Sequence, residues 1–153
     1  MNHTRKSGRS KQNKTRKAHA SISVKKTIVK QLLSMLITVK LYHWNTLSFS
    51  VHKATDDLYG DLNTLMDNMV EVLLGKHSSI SEKDKHDILS IKNFNVNNYK
   101  DNGKFKKEVE RYKHFLLSLN RVFNKDTDSD LLNIRDEMLA ALNKLSYLLT
   151  FTH

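Results

Sequence analysis

Apolar residues recur along most of this chain at steps of three and four, the spacing of helices that each bury one stripe. Val24, Ile28, Leu32, Met35, Leu36, Val39 and Tyr42 predict a first helix over about residues 22–46, with Ser23 placed to cap its start. Val51, Leu58, Leu62, Leu65, Met69 and Leu73 predict a second over about 50–74, which Gly75 would end in the left-handed conformation. Only the stretch around Leu47 to Phe49 separates them, so they should pack as an antiparallel hairpin. Residues 76–101 read as a long connection. It holds one short helical segment, SEKDKHDILSI, capped by Ser81, followed by the Asn-rich tract NFNVNNYKDNG. Phe105, Val109, Tyr112, Phe115, Leu116, Leu119 and Phe123 predict a third long helix over about 102–124. Leu131, Leu132, Ile134, Met138, Leu139, Leu142, Leu145 and Leu149 predict a fourth over about 128–150. The expected fold class is all-α.

Composition agrees with that pattern. A chain of 153 residues with no Pro and only four Gly favours long helices over a turn-rich β fold, and it is the length of one domain. No internal repeat is visible. The absence of Cys excludes disulfides, thiolate metal sites and a cysteine nucleophile. No apolar run follows the basic N-terminus as in a signal peptide, and none approaches the length of a membrane span. A soluble intracellular protein without a membrane partner is the expectation.

The net charge of +10 is concentrated at one end. Residues 1–55 hold twelve Lys and Arg and no acid, leaving fourteen basic against sixteen acidic residues in 56–153. Arg5, Lys6, Arg9, Lys11, Lys14, Arg16 and Lys17 fall in a segment almost without large apolar residues. Such a segment cannot bury enough surface to offset the entropy of ordering, so residues 1–21 are expected to be a disordered basic arm ahead of a folded domain, 22–153. The arm matches the phosphates of DNA or RNA in charge. It has no aromatic residue and no motif with which to read bases, so binding should be independent of sequence. A localisation segment or a solubilising tail has the same composition.

Chemistry is concentrated in HWNTLSFSVHKATDDLYGDLNTLMDNMVE. His52 and Asp56 are helical i, i+4 neighbours, and so are Asp67 and Glu71. Asp56 and Asp67, eleven residues apart, fall within about 20° of each other around the axis but about 16 Å apart along it. Asp56 lies about 200° round from Leu58, so this face points away from the bundle interior. Two bidentate half-sites on one face cannot share a metal within one chain. A two-fold partner running antiparallel would bring its Asp67 and Glu71 opposite the first chain's His52 and Asp56. The Glu-x-x-His motif of inward-facing di-iron bundles is absent. Acid pairs at i, i+4 on a surface helix are by themselves an ordinary solvated face. The distinguishing feature is that type, order and spacing agree across five residues.

His-Trp, then His-x-x-x-Asp, ten residues, and Asp-x-x-x-Glu resembles the iron-oxidising signature of Dps, the ferritin-like mini-ferritin that protects DNA in starved bacteria. The likeness covers residues 24–75 well and the last helix, DTDSDLLNIRDEMLAALNKLSYLLTFTH, more loosely, with Tyr147 where an aromatic is expected. It departs from the family in a shorter loop between His43 and His52. The basic tail on a shortened Dps-like domain is also similar to small proteins of large DNA viruses, which would add the virion to the cytoplasm, nucleus or nucleoid as a location.

The resemblance implies a ferritin-like four-helix bundle whose link between helices two and three crosses over. It implies metal ligands His43, His52 and Asp56 from one chain and Asp67 and Glu71 from its mate, with Trp44 beside them. It further implies oxidation of iron(II) by peroxide or dioxygen, and mineral storage in a shell of two-fold dimers, typically twelve subunits. The donor set of imidazole and carboxylate suits iron, and also manganese or zinc. The alternative from a different class is a non-catalytic nucleic-acid-binding or packaging scaffold whose bundle serves only to multiply the arms.

Overall fold

The computed structural model describes residues 20–76 and 80–151, which contain five α-helices and no strand. They are α1 (Ile22–Asn45), α2 (Phe49–Gly75), α3 (Glu82–Leu89), α4 (Asn102–Ser118) and α5 (Ser129–Leu148). The seven basic residues from Arg5 to Lys17 lie outside the described residues. None of the described helices is long and apolar enough to cross a membrane.

The helix ends follow side-chain chemistry. Ser21 caps α1 by accepting from Val24 N, two residues earlier than the predicted Ser23, whose hydroxyl meets that of Ser21 instead. Ser48 caps α2, and Ser81 forms a reciprocal capping box with Asp84 at the start of α3. Gly75 is the last helical residue of α2 and does not turn left-handed; no described glycine has positive φ. Lys76, still right-handed, closes that end with its ammonium paired to Asp128 and Asp130 at the start of α5. The predicted third long helix is shorter than its apolar stripe: α4 ends at Ser118 and tightens into a 3₁₀ turn, Leu119–Arg121, which still buries Leu119 and leads to buried Phe123.

Four long helices pack around one core that includes Leu32, Met35, Leu62, Met69, Tyr112 and Leu142. In α2 the buried positions are Val51, Thr55, Leu58, Leu62, Met66, Met69 and Leu73. Met66 therefore takes the place that the sequence pattern gave to Leu65, which is only half-buried. Met35, Met69 and Met138 are core residues, as their places in the apolar stripes predict, and Met66 joins them.

Cross-helix contacts fix the directions. Buried Lys25, at the start of α1, donates to Leu73 O near the end of α2, so the two helices are antiparallel. Burial lowers the pKa of Lys25, with Asp128 and Asp84 pulling it back up, and its position among the free carbonyls at the end of α2 suits a cation. Tyr42, near the end of α1, stacks on Phe105, near the start of α4, and Tyr112 OH donates to Ser34 O. Hence α4 is antiparallel to α1 and parallel to α2. The link between α2 and α4 must travel the length of the bundle, and it does so along α1. Ile88 of α3 is fully buried, Ser34 Oγ donates to Asn95 O, and Asn45 donates to Tyr99 O.

Buried Glu108 of α4 holds the end of that link. Its carboxylate accepts from Tyr99 OH at 2.9 Å and from two nitrogens of Arg111. Burial pushes its pKa up, but the bonds from Arg111 and Tyr99 outweigh that and hold it below the usual 4.5. A depressed carboxyl stabilises the fold above its unfolded pKa, and that contribution disappears as pH falls through the folded value. Glu108→Gln is expected to lower stability by about 1–3 kcal/mol at neutral pH. The deficit should shrink below pH 4.5, as measured by urea unfolding across that range.

Candidate metal centre

The corner between α1 and α2 is three residues long, Thr46 to Ser48, and it brings the last turn of one helix against the first turn of the other. His43 is buried there and His52 is exposed. His43 Nδ1 donates to His52 O and His52 Nδ1 donates to His43 O, both at 2.9 Å. The rings stack with centroids 3.9 Å apart and planes 24° from parallel. His43 O is one of the carbonyls that the end of α1 leaves without a helical partner, so the His52 bond satisfies a group that otherwise needs water.

This reciprocal pair settles the tautomer. A carbonyl oxygen only accepts, so each Nδ1 carries a proton, and in the neutral form of either ring the lone pair is on Nε2. Imidazoles held by an Nδ1–H to carbonyl bond, with Nε2 free to coordinate, are how proteins orient histidine ligands. Asp56 Oδ1 lies 3.7 Å from His43 Nε2, too far for a hydrogen bond and close enough for one cation to bridge the two.

Sequence reasoning missed Lys40. Its ammonium lies 3.7 Å from Asp56 Oδ1, 4.3 Å from the centroid of the Tyr59 ring and 5.7 Å from that of Trp44. The signal was present in the chain, because Lys40 and Trp44 are i, i+4 on α1. Its link to Asp56 becomes visible only once the hairpin register is known. Trp44 itself is 66% exposed.

Asp67 and Glu71 are exposed, as are His52 and Asp56. They share one unbroken helix of 27 residues, so about 16 Å of axis separates Asp56 from Asp67. The five predicted ligands therefore fall into two groups. His43, His52 and Asp56 lie together at the corner, while Asp67 and Glu71 lie three turns down α2. Among the described residues no three His or carboxylate groups come close enough within one chain to hold a metal ion. His86 and His114 are exposed, and His77 and His153 lie outside the described residues.

A search of curated proteins finds a relative in the "DNA protection during starvation protein" of Helicobacter pylori strain J99. It is 28% identical over 123 residues, which cover 75% of this chain and 85% of that protein. No solved structure matches. A family of unknown function, DUF5856, matches residues 43–149, from the first histidine of the corner to the end of the last helix. The chain belongs to that family.

Proposed function

We propose that this protein is a Dps-like iron-oxidising and iron-storing protein whose metal site is completed by a second copy of the chain. The observation that carries this reading is the pair of locked histidines beside Asp56, each ring held through Nδ1 with Nε2 left to coordinate. A second pair of carboxylates is displaced along the same helix by the distance that a two-fold mate would reverse. In an antiparallel dimer that pairs 52 with 71 and 56 with 67, His43, His52 and Asp56 of one chain meet Asp67 and Glu71 of the other, twice. The distant likeness to a protein named for DNA protection during starvation supports the same assignment. So does the link that returns along α1 between α2 and α4, the connectivity of a ferritin-like bundle.

Iron(II) is the substrate. Imidazole and carboxylate together accept it, and three carboxylates stabilise the extra charge of iron(III) once an electron passes to peroxide or dioxygen. Shell assembly from such dimers would give the mineral a compartment. The basic arm would hold the particle on nucleic acid through phosphate contacts alone, without reading sequence.

Three measurements test this. Iron(II) oxidation followed by absorbance should slow by at least about tenfold in His52→Ala with Asp56→Ala, since losing ligands costs no less than losing their outer-shell partners. An unchanged rate refutes the site. In alkaline solution, nitrogen-15 shifts should place the proton of both His43 and His52 on Nδ1; an Nε2–H form of either would break the ligand assignment. Gel shifts should show duplex DNA bound by the full chain and lost on deletion of residues 1–20. With all seven arm cations on phosphates, affinity should drop roughly 10³-fold between 50 and 200 mM salt. Salt-insensitive binding would contradict the arm's role.

A further inference from the structure

One face of the α1–α2 hairpin carries the metal ligands from end to end, and it holds two features that the metal does not explain. At the corner end, Trp44 stands out into solvent. At the other end, Val29 and Leu33 of α1, Met66 and Val70 of α2 and Leu89 of α3 line an open groove of about 440 Å³, with Asp67 and Asn63 on its rim. The two lie on the same face. The Lys40 ammonium joins Trp44 to Asp56 and Tyr59, and Asp56, Tyr59, Asn63, Asp67 and Val70 follow one another down α2 at steps of three, four, four and three.

We infer that Trp44 of each chain seats in the Val29/Leu33/Met66/Val70/Leu89 groove of a second copy, as the apolar anchor of a two-fold dimer. The inference rests on the antiparallel register proposed above, which places residue 52 opposite 71, 56 opposite 67 and 60 opposite 63. Trp44 sits on α1 one position from His43, hence level with His52. Side chains on a helix lean toward its N-terminus, so the indole covers the turn around Lys40, level with Asp56. The two-fold carries that level onto Asp67, beside the groove.

Charge agrees with this placement. The same operation brings Lys40, next to the indole, toward the partner's Asp67 at the rim. A second copy thus fits as the occupant in shape, in level and in charge. A large aromatic filling a groove at the centre of a contact is the kind of residue that dominates association energies.

Trp44 is the chain's single tryptophan, so its fluorescence reads the contact directly. In sedimentation experiments on the full chain, the dimeric form is expected to show blue-shifted, quencher-protected emission, and dilution to monomer should red-shift it. Leu33→Arg places a charge in the half-buried groove wall without touching a proposed ligand. It should red-shift Trp44 and raise the dimer dissociation constant on the order of tenfold or more while helicity by circular dichroism is retained. Trp44→Ala should weaken the dimer comparably.

Solvent-like emission in the dimer, or blue-shifted emission in a monomer whose indole is covered by another segment of its own chain, would overturn the inference. So would a Leu33→Arg protein that folds and dimerises with unchanged emission. The iron reading fails separately. A dimer with a protected Trp44 but no iron(II) oxidation would remove the oxidase and leave the docking intact, and His52→Ala with Asp56→Ala should leave the emission blue-shifted.

Discussion

The rigidity of α2 governs how the histidine and carboxylates along it can be used. Twenty-seven residues of uninterrupted helix hold His52 and Asp56 at one level and Asp67 and Glu71 at another, and no rotamer closes a gap of about 16 Å. A bend would be needed to bring them together in one chain. The helix contains no proline, its one internal glycine, Gly60, keeps helical geometry, and its apolar stripe runs without a break from Val51 to Leu73. The core therefore enforces the straightness that keeps the two pairs apart. Among the described residues of one chain no group of three ligands forms around either pair.

The corner meets a second constraint. A buried histidine is costly unless its ring nitrogens have partners, and a helix end leaves carbonyls that need donors. His43 and His52 answer both requirements at once, each ring bonding the other's backbone. The loop of three residues is what makes this possible, because it brings the two histidines ring to ring. The short corner thus provides the geometry that fixes both tautomers.

Periodicity made the helices legible, because an apolar stripe is a property of single elements. The second helix was readable nearly to its ends, and Ser81 was recognisable as a cap because capping is local chemistry. Choices among near-equivalent neighbours were less legible. Ser21 and Ser23 can both cap, and Leu65 and Met66 are adjacent apolar residues of which Met66, beside Val29 and Leu33 of α1, is the buried one. Gly75 looked like a left-handed stop, yet Lys76 reaches across to Asp128 and Asp130 and closes that end without one. The pairing of His52 with Asp56 and of Asp67 with Glu71 was legible from spacing alone. Lys40 and the reciprocal histidine bonds were not, since both depend on the register between two helices.

The fold itself asks little of the positions that carry the chemistry. Residues 52, 56, 67 and 71 of α2 face outward, and the core touches the helix at 51, 55, 58, 62, 66, 69 and 73. Lysine, glutamine or serine at any of those four outward sites would leave the buried stripe intact. A solvated face needs only polarity. It does not need a histidine whose Nδ1 is held by a backbone carbonyl, or acids at two levels that a two-fold would superpose. Nor does it need a two-thirds exposed tryptophan at one end of the stripe and an apolar groove at the other. Exposing the tryptophan and the groove to water carries a solubility cost. In the proposed dimer a second copy covering the face would offset that cost, and the same act of covering would complete the proposed ligand set. On that proposal, assembly and metal chemistry follow from one surface.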